Sequence, residues 1–273
     1  MPEMLSYAFM RHAFVAAAVV AVVGGAVGYF LVLRGQTFAG HALAHVGFTG
    51  ATGAVLAGIA PIWGLVFATV ASGVGMGFMG EDLAQRDVAV GLILAFALGL
   101  GLLFLHFFTT SATQATTLLF GNVLAVSMHT VWVLTALSTA SLLALAIVSR
   151  PLLFASLHPE LAEAKGVSLV GYSVVFLAIV ALATAECVQI VGVLLVFALM
   201  VGPAAAAQRL TRSVATGVLL SAVLALVEAW AGIVLAYYSN WPSSFWITAL
   251  SVSIYVLVSL RRPAGGPLAA SAS

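Results

Sequence analysis

The chain has 273 residues, of which 63% are hydrophobic and only 6% charged, with a formal net charge of +1. A soluble domain carries about 25% charged residues, so the composition excludes a water-soluble globule and predicts an all-α integral membrane protein. The near-neutral charge gives no case for a nucleic-acid partner. The single Cys187 excludes a disulfide framework and a thiolate metal cage. The 26 glycines suit close helix–helix approach in lipid.

In chain order, Met1 to His12 is short and mildly amphipathic, and a first span runs from Ala13 to Leu33. That span lacks a cleavage-site pattern, so no cleavable signal peptide is expected. Arg34-Gly35-Gln36 stops it. A small-residue helix follows from Thr37 and is expected to end at Pro61. Ile62 to Met79 is a glycine-rich third span, Glu81 to Asp87 a charged loop, and Val88 to Phe108 a fourth span. Thr109 to Thr130 is semi-polar and too short in its apolar part to cross, so it reads as a re-entrant or interfacial segment. A fifth span covers Val131 to Val148, and the longest polar loop is expected from Ser149 to Ser168. Within it, Pro159 followed by Glu160 and Glu163 predicts the first turn of a short helix. The sixth span is Leu169 to Ala185, with a polar break at Glu186 to Gln189. The seventh is Ile190 to Met200, continuing to Ala207, and the eighth is Val214 to Tyr238. Trp241 and Trp246 suit an interfacial belt around the next turn. The ninth span, Phe245 to Leu260, ends at Arg261-Arg262. Residues 1–262 thus form one polytopic bundle of about nine helices plus a re-entrant segment, with a disordered tail over 263–273.

Nine spans put the termini on opposite sides. With the C-terminus cytoplasmic, Arg34, Arg86, Arg150, Lys165, Arg209, Arg212, Arg261 and Arg262 all face the cytoplasm and only Arg11 lies outside. A rise of 1.5 Å per residue then carries His45 roughly 10–15 Å into the bilayer, with His41 one turn nearer the cytoplasm.

Four positions carry candidate chemistry. His41 and His45 are four residues apart, so their imidazoles stack on one helix face. Such a pair can reach one transition-metal ion, and imidazole suits zinc, copper, iron and nickel. The alternative is a pair hydrogen-bonded within the bundle interior. Glu186 is expected near the outer end of its span, as an outer-mouth ligand or gate, or as a solvated interfacial carboxylate. Glu228 falls mid-span, as a pathway-lining group or the partner of a buried polar residue. His106 and His129 fall near the outer face as interfacial histidines.

No G-x-x-x-x-G-K-[ST] phosphate cradle, no G-x-S-x-G elbow and no H-E-x-x-H occurs. The chain therefore reads as a conduit, not an enzyme, and any energy from ATP must come from a separate subunit.

Five stretches in order resemble the permease subunits of bacterial zinc/manganese/iron-type ABC importers. The family's second helix reads G-D-A-L-S-H-A-x-L-P-G; Gly40, Ala42, Leu43, His45 and Gly50 match, while His41 stands for the aspartate, Ala44 for the serine and Thr49 for the proline. The others are Arg86-Asp87-Val88-Ala89-Val90-Gly91, Leu118 to Gly121, and His158-Pro159-Glu160-Leu161-Ala162 with Gly166. The last runs from Gln189 through Gly192 and Leu195 to Pro203-Ala204-Ala205 and Ala207.

The resemblance implies a type II importer-like fold in the bacterial inner membrane. It implies a homodimer, or a pair of related permeases, on two cytoplasmic ATPases, with delivery by an extracytoplasmic metal-binding protein. It also implies that His41 and His45 contact the ion in transit. Carboxylate suits manganese and two imidazoles lean towards zinc, so zinc is the expected cargo. Apart from the resemblance, two neutral histidines leave a divalent cation uncompensated, which makes Glu228 of the facing helix a candidate counter-charge. The segment Gly202 to Ser213 is expected to hold the coupling helix, where Pro203 ends or kinks the preceding helix and Gln208, Arg209 and Arg212 meet the ATPase. Simple positive-inside anchoring also accounts for the arginines. Competing readings are a gradient-driven metal transporter or channel, an intramembrane metalloenzyme, and an ABC permease for manganese, iron or a metal chelate.

Overall fold

An apolar chain in lipid must satisfy its own backbone N–H and C=O groups, and a helix does this within each segment. The computed structural model describes residues 4, 6–79, 83–107, 119, 121, 123–193 and 195–260. Among them every regular element is helical. In chain order these are α1 (Ala8–Leu33), α2 (Thr37–Leu56), α3 (Pro61–Gly77), α4 (Leu83–His106), a 3-10 turn (Val123–Ala125), α5 (Met128–Leu157), α6 (Pro159–Ala164), α7 (Leu169–Val191), α8 (Val196–Leu210), α9 (Val214–Ser239) and α10 (Ser243–Leu260).

Among the described residues, six helices are long and apolar enough to cross a membrane: α1, the part of α4 from Asp87, α5, α7, α9 and α10. α3 and α8 are shorter apolar helices of 17 and 15 residues. α2 has 20 residues, but its histidines and threonines lower its apolarity. Among the described residues a helix lies at the position of each of the nine expected spans, and six of these helices are long and apolar enough to cross.

The helices pack in two groups. α2 lies on α3 and α4, and α3 lies on α7. α1 lies on α8 and α9, while α8, α9 and α10 pack on one another. α1 also touches α5 and α7 and so joins the groups, whereas direct contact of α2 with α1 or α8 is sparse. α2 and α3 approach at Gly50 and Gly64, where a β-carbon on either would run into the other's carbonyl.

Several boundaries differ from the sequence expectation. α2 stops at Leu56, and Pro61 opens α3 as its first residue, where a missing N–H costs nothing. α4 begins at Leu83, so part of the expected charged loop is helical. α5 continues through Pro151 to Leu157, because Leu152 and Ala155 reach the core and Arg34 donates to Ser156 Oγ at 2.7 Å. The short helix at Pro159 is present as α6, with Glu160 in its first turn. α7 runs straight through the expected polar break to Val191. It ends at Gly192, whose φ of 86° only glycine adopts easily. Most of 109–130, the arginines at 261–262 and the tail lie outside the described residues.

Candidate metal site

The histidine pair sits on α2 as the spacing requires. The ring centroids of His41 and His45 are 4.9 Å apart with an interplanar angle of 81°. His41 is half-buried and His45 only 9% exposed. The Nδ1 of His45 is buried with no hydrogen-bond partner. Among the described residues neither imidazole forms a hydrogen bond. A buried imidazole nitrogen without a partner is costly in apolar surroundings, and metal ligation is one use that repays it.

Thr49 holds the turn that carries His45. Its hydroxyl lies 2.5 Å from the Ala97 carbonyl on α4 and 3.3 Å from the His45 carbonyl. Sequence reading missed this role, although a threonine four residues after a histidine was visible. It also missed Phe197, in the first turn of α8, whose ring stands edge-on to His41 at 5.7 Å and 85°.

The two buried acids take other places. Glu186 is 1% exposed, not solvated at an interface. Ser138 Oγ donates to its Oε2, and Ser141 Oγ donates to its Oε1 at 3.1 Å. The serines lie three residues apart on one face of α5, so the carboxylate clips α5 to α7. This satisfaction is why α7 does not break there. Cys187 beside it is a buried free thiol.

Glu228 on α9 is fully buried, and neither carboxylate oxygen has a hydrogen-bond partner. Ser251 of α10 approaches it but gives its hydroxyl hydrogen to the Ala198 carbonyl at 2.8 Å. Among the described residues, no three His, Cys, Asp or Glu side chains lie close enough to hold one ion. Within one chain, therefore, Glu228 does not join the histidine pair. His106 and His129 are both exposed, at the end of α4 and the start of α5.

The segment from Gly202 continues the preceding helix as far as Leu210 and forms no separate coupling helix. Gly202 and Pro203 lie inside α8, and only residues 211–213 separate it from α9. The alanines at 204, 206 and 207 are buried good helix formers and carry the helix past the proline. Gln208 donates to the Tyr29 carbonyl at 2.9 Å, whereas Arg209 and Arg212 are exposed.

A bundle of apolar helices, with paired imidazoles on the largely buried α2 and an exposed arginine end on α8, fits a multi-pass membrane transport component. The ABC 3 transport family matches residues 6–262, and the chain belongs to it. The resemblance carried by the five motifs is thereby borne out.

Relatives are similar over nearly the whole length. The manganese transport system membrane protein MntC of Halalkalibacterium halodurans is 28% identical over 267 residues, 97% of this chain and 91% of its own. The manganese import system permease protein ScaB of Streptococcus gordonii is 30% identical, covering 91% of this chain and 90% of its own. The solved structure of PsaBC from Streptococcus pneumoniae in complex with Fab superposes with a TM-score of 0.83 at 26% identity. That match covers 93% of this chain and 92% of the other.

Proposed function

We propose that this chain is the permease of an ATP-driven importer of divalent transition-metal ions in a bacterial inner membrane. The observation that carries the reading is the His41–His45 pair, edge to face on α2 with no hydrogen bond to another described residue. The names of the relatives support manganese as the cargo. The replacement of the family's aspartate by His41 supports zinc as the second reading, because two nitrogen donors suit a later transition metal.

The chain works by alternating access. Two copies of the permease stand on two cytoplasmic ATPases, which meet the exposed Arg209 and Arg212 beyond Gln208, Pro203 and Gly202. An extracytoplasmic binding protein delivers the ion, and the C-terminus lies in the cytoplasm. The ion passes the histidines, which bind it incompletely and so release it; a closed four-ligand site would hold it. Glu228, fully buried on α9 with neither carboxylate oxygen hydrogen-bonded, is not a direct ligand from the same chain. Glu186 acts as a gate-side clip between α5 and α7.

The test is metal uptake into proteoliposomes containing this chain and its ATPase, with metal-loaded binding protein outside. Radioactive manganese and zinc are compared with and without ATP. ATP-dependent entry of either ion supports the importer, and the faster ion decides between the two cargoes. Entry without ATP would establish a gradient-driven carrier instead.

A further inference from the structure

Phe197 stands where the two helix groups meet. Its ring touches His41, and His41 touches His45, so three rings form one row from α8 into α2. The other side of Phe197 lines a groove of about 480 Å³ between α8 and α10, with Ala198, Gly202, Thr248 and Ser251. The ring is 40% exposed, so filling the core is not its main role.

A metal-binding histidine is ordinarily aimed by a hydrogen bond from its second ring nitrogen to a carboxylate or carbonyl. His41 has no such bond among the described residues. Its ring lies edge-on to two other rings, and of these Phe197 comes from another helix.

α8 is also tied to its own group along its length. Ser251 donates to Ala198 O near the start. Gln208 donates to Tyr29 O, and the Arg209 guanidinium lies 5.6 Å over the Tyr255 ring near the end. It is one continuous helix, with Arg209 about 18 Å along the axis from Phe197 at 1.5 Å per residue.

We propose that Phe197 is a positioning residue for the histidine pair. It sets the orientation of the His41 imidazole, and a shift of α8 against α2 changes the geometry offered to the ion. This rests on reading His41 and His45 as ligands of the transported metal.

The experiment is a titration of the full chain in nanodiscs with Co²⁺, whose visible bands report coordination geometry. Phe197→Ala is expected to weaken Co²⁺ binding about 2- to 10-fold, the scale of one aromatic contact, and to change the band shape. Phe197→Tyr is expected to restore both. Phe197→Leu keeps most of the bulk without the ring and serves if the alanine variant does not fold; it is expected to behave like alanine. Parent-like affinity and bands in Phe197→Ala or Phe197→Leu would overturn the proposal. His45→Ala separates the two levels: if that variant binds Co²⁺ like the parent, the histidine reading itself falls.

Discussion

The Thr49 hydroxyl lies 2.5 Å from the Ala97 carbonyl, so one hydrogen bond fastens the histidine helix α2 to α4. Both residues are buried, and water does not replace the bond in the apolar interior. Thr49→Val keeps the shape and removes the donor. It is expected to cost about 1 kcal/mol, read as a lower Tm in detergent. Thr49→Ser, which retains the hydroxyl, should lie between the two. A Thr49→Val protein as stable as the parent would mean that the bond contributes nothing net.

The carboxylate of Glu186 takes both serine hydroxyls of α5. Glu186→Ala leaves Ser138 and Ser141 buried without their acceptor, at about 1–3 kcal/mol for each unsatisfied group. Glu186→Gln keeps one carbonyl acceptor and is expected to be the milder change. Thermal unfolding followed by tryptophan fluorescence should rank them parent, Gln, Ala. The reverse order of Gln and Ala would contradict the clip.

Two glycines of α3 are expected to respond oppositely to alanine. A β-carbon on Gly64 meets the Gly50 carbonyl, while one on Gly75 meets nothing within 4 Å. Gly64→Ala therefore separates α2 from α3 and should reduce the monodisperse fraction in size-exclusion chromatography. Gly75→Ala gains helix propensity, roughly 0.5–1 kcal/mol, and should raise Tm. Equal behaviour of the two variants would refute the close packing of the histidine helix.

The histidines separate function from stability. His45→Ala is expected to reduce metal uptake at least tenfold with little loss of Tm, because its side chain makes no hydrogen bond to a described residue that the variant would break. His41→Asp restores an oxygen donor and should shift the uptake ratio from zinc towards manganese. Paired uptake assays on the same vesicles measure both effects. An unchanged ratio would place the choice of cargo elsewhere in the permease.

Much of the architecture was legible in the residues. Low charge and long apolar runs demand helices in lipid, and the i, i+4 spacing of His41 and His45 puts both on one face whatever surrounds them. The helix at Pro159 followed in the same way, from local chemistry at a helix start.

The failures share a cause. Glu186 read as a break and an interface because an unpaired carboxylate stops a span; its partners, Ser138 and Ser141, lie more than forty residues away and only packing brings them together. Ser149 to Leu157 read as a loop because its anchors, the core under Leu152 and the guanidinium of Arg34, are equally remote. Charge alone puts Glu228 with the histidines, whereas α9, which carries it, packs on α1, α8 and α10.

Composition and short-range spacing settle which segments are helical and which side chains share a face, because both depend on neighbours within a turn or two. Tertiary structure alone decides whether a buried polar group is satisfied and where helix groups meet. The contact of Phe197 with His41 joins residues 156 positions apart, across a seam that no local pattern marks.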